Sequence, residues 1–256
     1  MATTAPSSTA YDREARFYFI LSCAMAFVLL AAFGFHFAMG RSSFASPVVV
    51  HVHAVLAMGW LGIYVLQNWL VASGNVAAHR KLGWIAALWV PAMLVVGVAT
   101  TVNAVQMGRV PFFFMPQRFL FGDPLTLLCF GALTAAALVM RRRTDWHRRL
   151  HLCAMAALMG PGFGRLLPMP FMGYYAFEIA AALGIIFPAI AIAREARAGA
   201  VHPAWKFGVG ALPVILLASL AFGQSAFGGS VYASVVAGTP GEAIGGLEYG
   251  APPPGM

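Results

Sequence analysis

Charge is scarce in this sequence. Asp, Glu, Lys and Arg make up 9% of its 256 residues, and 8 of them are acidic. A soluble domain holds roughly 25% charged residues and spreads them over its surface, so a water-solvated globular surface is excluded. Cysteine is sparse too. Cys23, Cys129 and Cys153 lie in apolar surroundings without C-x-x-C or zinc-type spacing, and they read as small packing residues. No G-x-S-x-G, phosphate loop, dinucleotide fingerprint or aspartate-rich prenyl-diphosphate motif occurs. The apolar runs are continuous, not alternating, which excludes a barrel of transmembrane strands.

What is present is hydrophobicity, at 61% of residues. A helix needs about 20 mainly apolar residues to cross a hydrocarbon core of about 30 Å. Residues 17–40, 48–72, 82–106, 124–141, 171–194 and 204–224 meet that test. A seventh stretch, 148–169, is weaker, because its uninterrupted apolar run is confined to Leu152–Gly164. The expectation is an all-α, integral membrane bundle of about seven helices. The first run is long for a signal peptide and carries Asp12 and Glu14 beside its basic residues, so it is read as an anchor.

Basic residues orient the bundle, since cytoplasmic loops carry the excess of Lys and Arg. With seven spans and the N-terminus inside, inner segments hold 12 of the 16 basic residues, from Arg13 and Arg16 through the Arg141–Arg149 cluster to Lys206. Arg41, Arg109, Arg118 and Arg165 fall outside. Removing the weak fifth span spoils this bias. The formal charge of +8 is therefore a topology signal and a contact for lipid headgroups, not a nucleic-acid surface. Residues 1–15 are expected to be disordered, 16–226 to form the membrane domain, and the Gly/Pro-rich 227–256 to be a disordered tail outside the bilayer. The only long loop, 107–123, holds Phe112, Phe113, Phe114, Phe119 and Phe121 with Arg109 and Arg118, and reads as an interfacial loop or as a lid over a lipid-soluble substrate. Asp123 ahead of Pro124 reads as the cap of the fourth helix. Gly160–Gly164, GPGFG, predicts a kink in the fifth span.

Histidine sorts by face. His36, His51 and His53 fall near the outer face, and His79, His147, His151 and His202 near the inner one. Neutral imidazole is the usual axial ligand of b-type haem and also binds zinc. From His53 to His79 is about 39 Å of helix at about 1.5 Å per residue, so these two belong to separate sites. Steps of seven from His53 reach Trp60 and Gln67 on one face of the second helix, which makes His53 a better site residue than His51. His147 and His151, four apart, share a face and form a candidate metal pair. The competing reading is that interfacial histidines cap helices or bind lipid phosphate, and His36 and His202 are assigned to it. Glu178 lies well inside the sixth span, where a carboxylate is costly and marks a functional path or a clamp. Tyr174, Tyr175 and a partner at Arg165 complete that candidate set. No catalytic residue is assigned.

The segments His53…Gln67…Gly74…His79-Arg80-Lys81-Leu82-Gly83, Asp145-Trp146-His147-Arg148-Arg149 and Arg165-Leu166-Leu167-Pro168 resemble a group of bacterial predicted membrane proteins known as a domain of unknown function. The resemblance covers residues 53–168 and matches at His53, His79, His147 and Arg165. It departs from the group at Leu150-His151-Leu152, where a Met-containing helix start is usual, and in the longer 107–123 loop. It implies a four-helix core of b-type-cytochrome character with an H-R-x-L-G turn, in a bacterial cytoplasmic membrane.

Three functions follow as expectations. The first is a membrane protein that binds haem b or quinone through His53 on one side and His79, His147 and His151 on the other, with Gln67 a further cofactor-binding candidate, and exchanges electrons with a quinone or a redox partner. The second is a transporter or an assembly factor. The third is a lipid-modifying enzyme with a metal on His147 and His151.

Overall fold

The computed structural model describes residues 8–42 and 44–250. Those residues form helices α1 (Ser8–Ala38), α2 (Val48–Ala72), α3 (Val76–Gln106), α4 (Pro116–Val139), α5 (Thr144–Ala157) and α6 (Gly160–Leu166). After a 3-10 segment at Met169–Tyr175 come α7 (Ala176–Ala182), α8 (Ile186–Arg197), α9 (Ala204–Gln224) and α10 (Ala226–Val236). Six helical segments are long and apolar enough to cross a membrane, among them Met169–Arg197, which joins α7 and α8 into one rod. In tandem, α5 and α6 occupy the stretch read from the sequence as a seventh crossing, and α10 is a shorter apolar helix.

The weak hydropathy of that seventh crossing has a structural cause. It runs through the centre of the bundle, packed against α4, α8 and α9, and meets protein instead of lipid. Every residue from Leu152 to Ala157 is at most 4% exposed. Small residues let neighbours approach closely. At Gly184, for instance, a Cβ would run into the carbonyl oxygen of Ala156. By contrast, α3 presents Trp84, Leu88 and Val95 outward, at the spacing of one helical face turned to lipid. The kink expected at GPGFG is present: α5 ends at Ala157, and α6 restarts with Pro161 in its first turn, where its missing N–H costs nothing.

Four expectations are corrected. Asp123 does not cap a helix. Helix α4 begins eight residues earlier, with Met115 at the cap and Pro116 in the first turn, so Pro124 lies inside the helix and Asp123 in its third turn. The long loop shrinks accordingly, and Phe119 and Phe121 become helical. Residues 227–250 are ordered: α10 packs on α3 and α4, Tyr232 Oη donates to the Ile244 carbonyl at 2.9 Å, and the Gln117 N–H donates to the Gly246 carbonyl at 2.8 Å. The Gly and Pro of that tail form turns on the bundle end. At the other terminus, residues 8–15 are helical, and 1–7 lie outside the described residues.

Candidate functional site

The bundle has two chemically different ends. At the arginine-rich end, the loop joining α2 to α3 and the loop joining α4 to α5 bring Gln67, His79, His147 and His151 together. The His79 and His147 rings stand edge to face with centroids 6.3 Å apart, and His147 and His151 stand likewise at 4.6 Å. His147 Nδ1 is 2.8 Å from the Ala137 carbonyl, one of the last four carbonyls of α4, which no backbone N–H reaches. The bond fixes a proton on Nδ1 and leaves the Nε2 lone pair available. It also caps a helix, as the competing reading of the sequence expected.

His79 Nδ1 lies 3.3 Å from the backbone carbonyl of Gln67. The Gln67 side chain is best satisfied with its oxygen accepting from the Gly83 N–H at 2.9 Å and its nitrogen facing the His79 carbonyl and Nδ1 at 3.1 and 2.6 Å. Turned over, the same amide presents its oxygen to an Nδ1–H. Gln67 thus governs which His79 nitrogen carries the proton. Among the described residues, no three His, Cys, Asp or Glu side chains converge closely enough to hold a metal ion.

The remaining charges at this end lock helices together. Arg149 donates to Glu195 at 2.6–2.8 Å, Glu195 accepts from Trp205 Nε1 at 2.8 Å and the His202 N–H at 3.0 Å, and Arg148 pairs with Glu14 at 2.7 Å. His202 Nε2 lies 2.7 Å from an Asp145 oxygen, so His202 belongs to this clamp and not to the imidazole group. Asp145 precedes the apolar part of the crossing. Burial would raise its carboxyl, but hydrogen bonds from His202 and the Trp146 N–H outweigh that and hold it below the ordinary range. Sequence reasoning missed this network. Its signal was Glu195, an acid set among the arginines that close α8.

The phenylalanine-rich end is ionic. Glu178 is paired with Arg118 at 2.7 Å, and not with Arg165 as expected. Arg118 also donates to the Tyr174 carbonyl at 2.6 Å and lies 4.0 Å over the Tyr174 ring, on which Tyr175 packs edge-on. Helix α4 starts early enough to carry Arg118 inward, which is why the partner was misread. Arg165 instead donates to the Pro161 carbonyl at 2.9 Å and stacks 4.0 Å from the Phe33 ring. His53, half-buried, faces Asp123 and Arg165, and among the described residues no other imidazole packs against it. His51 turns to the Phe44 carbonyl at 3.1 Å.

Compared with protein-family models, curated proteins and solved structures, the chain matches none.

Proposed function

We propose that this is a multi-pass membrane redox protein of b-type-cytochrome character, holding one haem iron between His79 and His147 at its arginine-rich end. The observation that carries the reading is the pairing of these two rings. The rings stand edge to face with centroids 6.3 Å apart, near enough that both would hold one bound group. Two protein ligands are what a haem needs, because the macrocycle supplies the rest of the coordination, whereas a bare structural ion takes three or four. The absence of a convergent third donor among the described residues therefore favours haem over the metal-dependent lipid enzyme.

Bound there, haem would supply one-electron chemistry. His147 is set for this by its Nδ1 bond to Ala137, an outer contact of the kind that orients ligating imidazoles. His79 would ligate through Nε2 with its Nδ1 proton directed to the Gln67 backbone carbonyl, which requires the Gln67 amide to turn its oxygen toward that ring, and His151 packs against the edge of His147 to hold its plane. His53, without an imidazole partner, is left out of the ligand set. The likeness at His79-Arg80-Lys81-Leu82-Gly83 and His147-Arg148-Arg149 supports the same reading. It supports a bacterial cytoplasmic membrane with the arginine-rich end inside, and exchange of electrons with a quinone or a redox partner.

The test is a reduced-minus-oxidised absorption spectrum, with metal analysis, of the full chain expressed with added haem and purified in mild detergent. The expected result is a Soret band with sharp α and β bands, lost in His79→Ala and in His147→Ala and retained in His151→Ala. A colourless protein overturns the haem reading. A colourless protein containing zinc or copper revives the metal enzyme.

A further inference from the structure

The structure holds a second in-membrane carboxyl that the redox reading does not use. Asp123 lies about 10 Å along α4 from Pro116, at about 1.5 Å per residue, and unlike Glu178 it has no cation within ion-pair distance among the described residues. The charged or titratable groups facing it are His53 from α2 and Arg165 from α6, with the Thr101 hydroxyl from α3 in direct contact. The Arg165 charge is directed elsewhere, to the Pro161 carbonyl and the Phe33 ring, and its Nε is buried without a partner.

The Thr101 hydroxyl can donate to the Asp123 carboxyl, or donate to the Gly97 carbonyl while accepting from a protonated Asp123. The Thr101 oxygen lies 3.2 Å from the Gly97 carbonyl and 2.5 Å from Asp123 Oδ2, and the residue is 2% exposed. A hydroxyl has one hydrogen to donate. The Gly97 carbonyl can only accept. If the hydroxyl hydrogen goes to Gly97, the hydrogen in the second contact must come from Asp123. Both contacts are satisfied together when Asp123 is a neutral carboxylic acid donating to Thr101. A neutral acid is also what an apolar slab favours for a carboxyl without a paired cation.

We propose that Asp123 is a proton-binding site of the membrane interior, exchanging its proton with the phenylalanine-rich end through His53. No ion-pair contact joins His53 to the carboxyl, so a bridging water carries the step: the Asp123 O–H bond breaks, the water takes that proton and gives one of its own to a lone pair on the His53 ring, and the carboxylate left behind accepts from a Thr101 hydroxyl turned to donate. The proton then leaves from His53, and the carboxyl is refilled by the reverse route. The site shares no residue with the His79–His147 pair, so each proposal can fail alone.

The test uses the full chain in lipid vesicles. Infrared spectra should show a protonated-carboxyl C=O band that shifts when water is replaced by heavy water, survives in Thr101→Val at altered frequency, and is absent in Asp123→Asn. Dicyclohexylcarbodiimide, which couples to protonated carboxyls in apolar surroundings, should label Asp123 and spare ion-paired Glu178, with labelling lost as the pH is raised. His53→Gln should slow the exchange of the band in heavy water. A wild-type spectrum without that band, or the same band undiminished in Asp123→Asn, overturns the proposal. Since the first is read on unaltered protein, a variant that fails to fold leaves the test intact.

Discussion

The two ends of this bundle solve the same problem in opposite ways. Polar side chains must be kept inside a low-dielectric slab, where an unsatisfied group costs several kcal/mol. At the arginine-rich end, beside the Arg149–Glu195 clamp, the groups left free for chemistry are imidazoles and an amide, held by backbone carbonyls at Ala137 and Gln67. At the phenylalanine-rich end they are full charges, Arg118 on Glu178, with Asp123 and Arg165 close by but not joined. Neutral rings with one nitrogen tied and one free suit ligation. Ionic groups suit clamping and proton exchange.

The sharpest way to break that contrast is to remove one half of the buried ion pair. Arg118→Met leaves Glu178 uncompensated and should cost about 3–5 kcal/mol, read as a large fall in the detergent melting temperature. Adding Glu178→Leu should recover most of the loss. If the single variant melts like wild type, the ionic end is not a clamp. At the neutral end, His147→Leu removes a hydrogen bond and strands the Ala137 carbonyl, which should cost about 1–3 kcal/mol. A loss as large as that of Arg118→Met would erase the difference between the ends.

Smaller effects sharpen the picture. Tyr232→Phe deletes the hydroxyl that holds the chain after α10 to the Ile244 carbonyl, an expected loss of about 1 kcal/mol. Faster hydrogen exchange confined to residues 237–250 would report it. The smallest effect belongs to Asp145, whose side chain is 47% exposed. Its carboxyl is held below its unfolded value by His202, so its contribution is complete above the unfolded pKa and disappears as the pH falls through the folded one. Asp145→Asn should therefore flatten only the acid limb of the stability profile, by under about 1 kcal/mol given solvent screening. A change on the alkaline limb would contradict the assignment.

Much of this was legible from the chain, for identifiable reasons. Hydropathy and the distribution of arginine located the crossings because lipid contact demands apolar side chains and loops concentrate cations. The same logic underrated α5, whose surroundings are protein and whose residues are chosen for size. Histidine spacing foretold that His147 and His151 share a face, and the seven-residue steps from His53 singled out Gln67 without foretelling its contact with His79. Charge partners were not legible. Arg118 was assigned to a loop because Pro124 resembles a helix start, and that one boundary error hid both the Glu178 pair and the depth of Asp123. The tail was misread because Gly and Pro signal turns without saying whether they pack. Tyr232 and Gln117 decide that here.

The difference between the ends is tested most directly by the number of haems per chain. Pyridine haemochrome analysis against protein mass should give one haem per polypeptide, unchanged in His53→Ala and reduced to none in His79→Ala and His147→Ala. Two haems, with one lost in His53→Ala, would show that the phenylalanine-rich end is also a ligand site. No haem at all would remove the redox account.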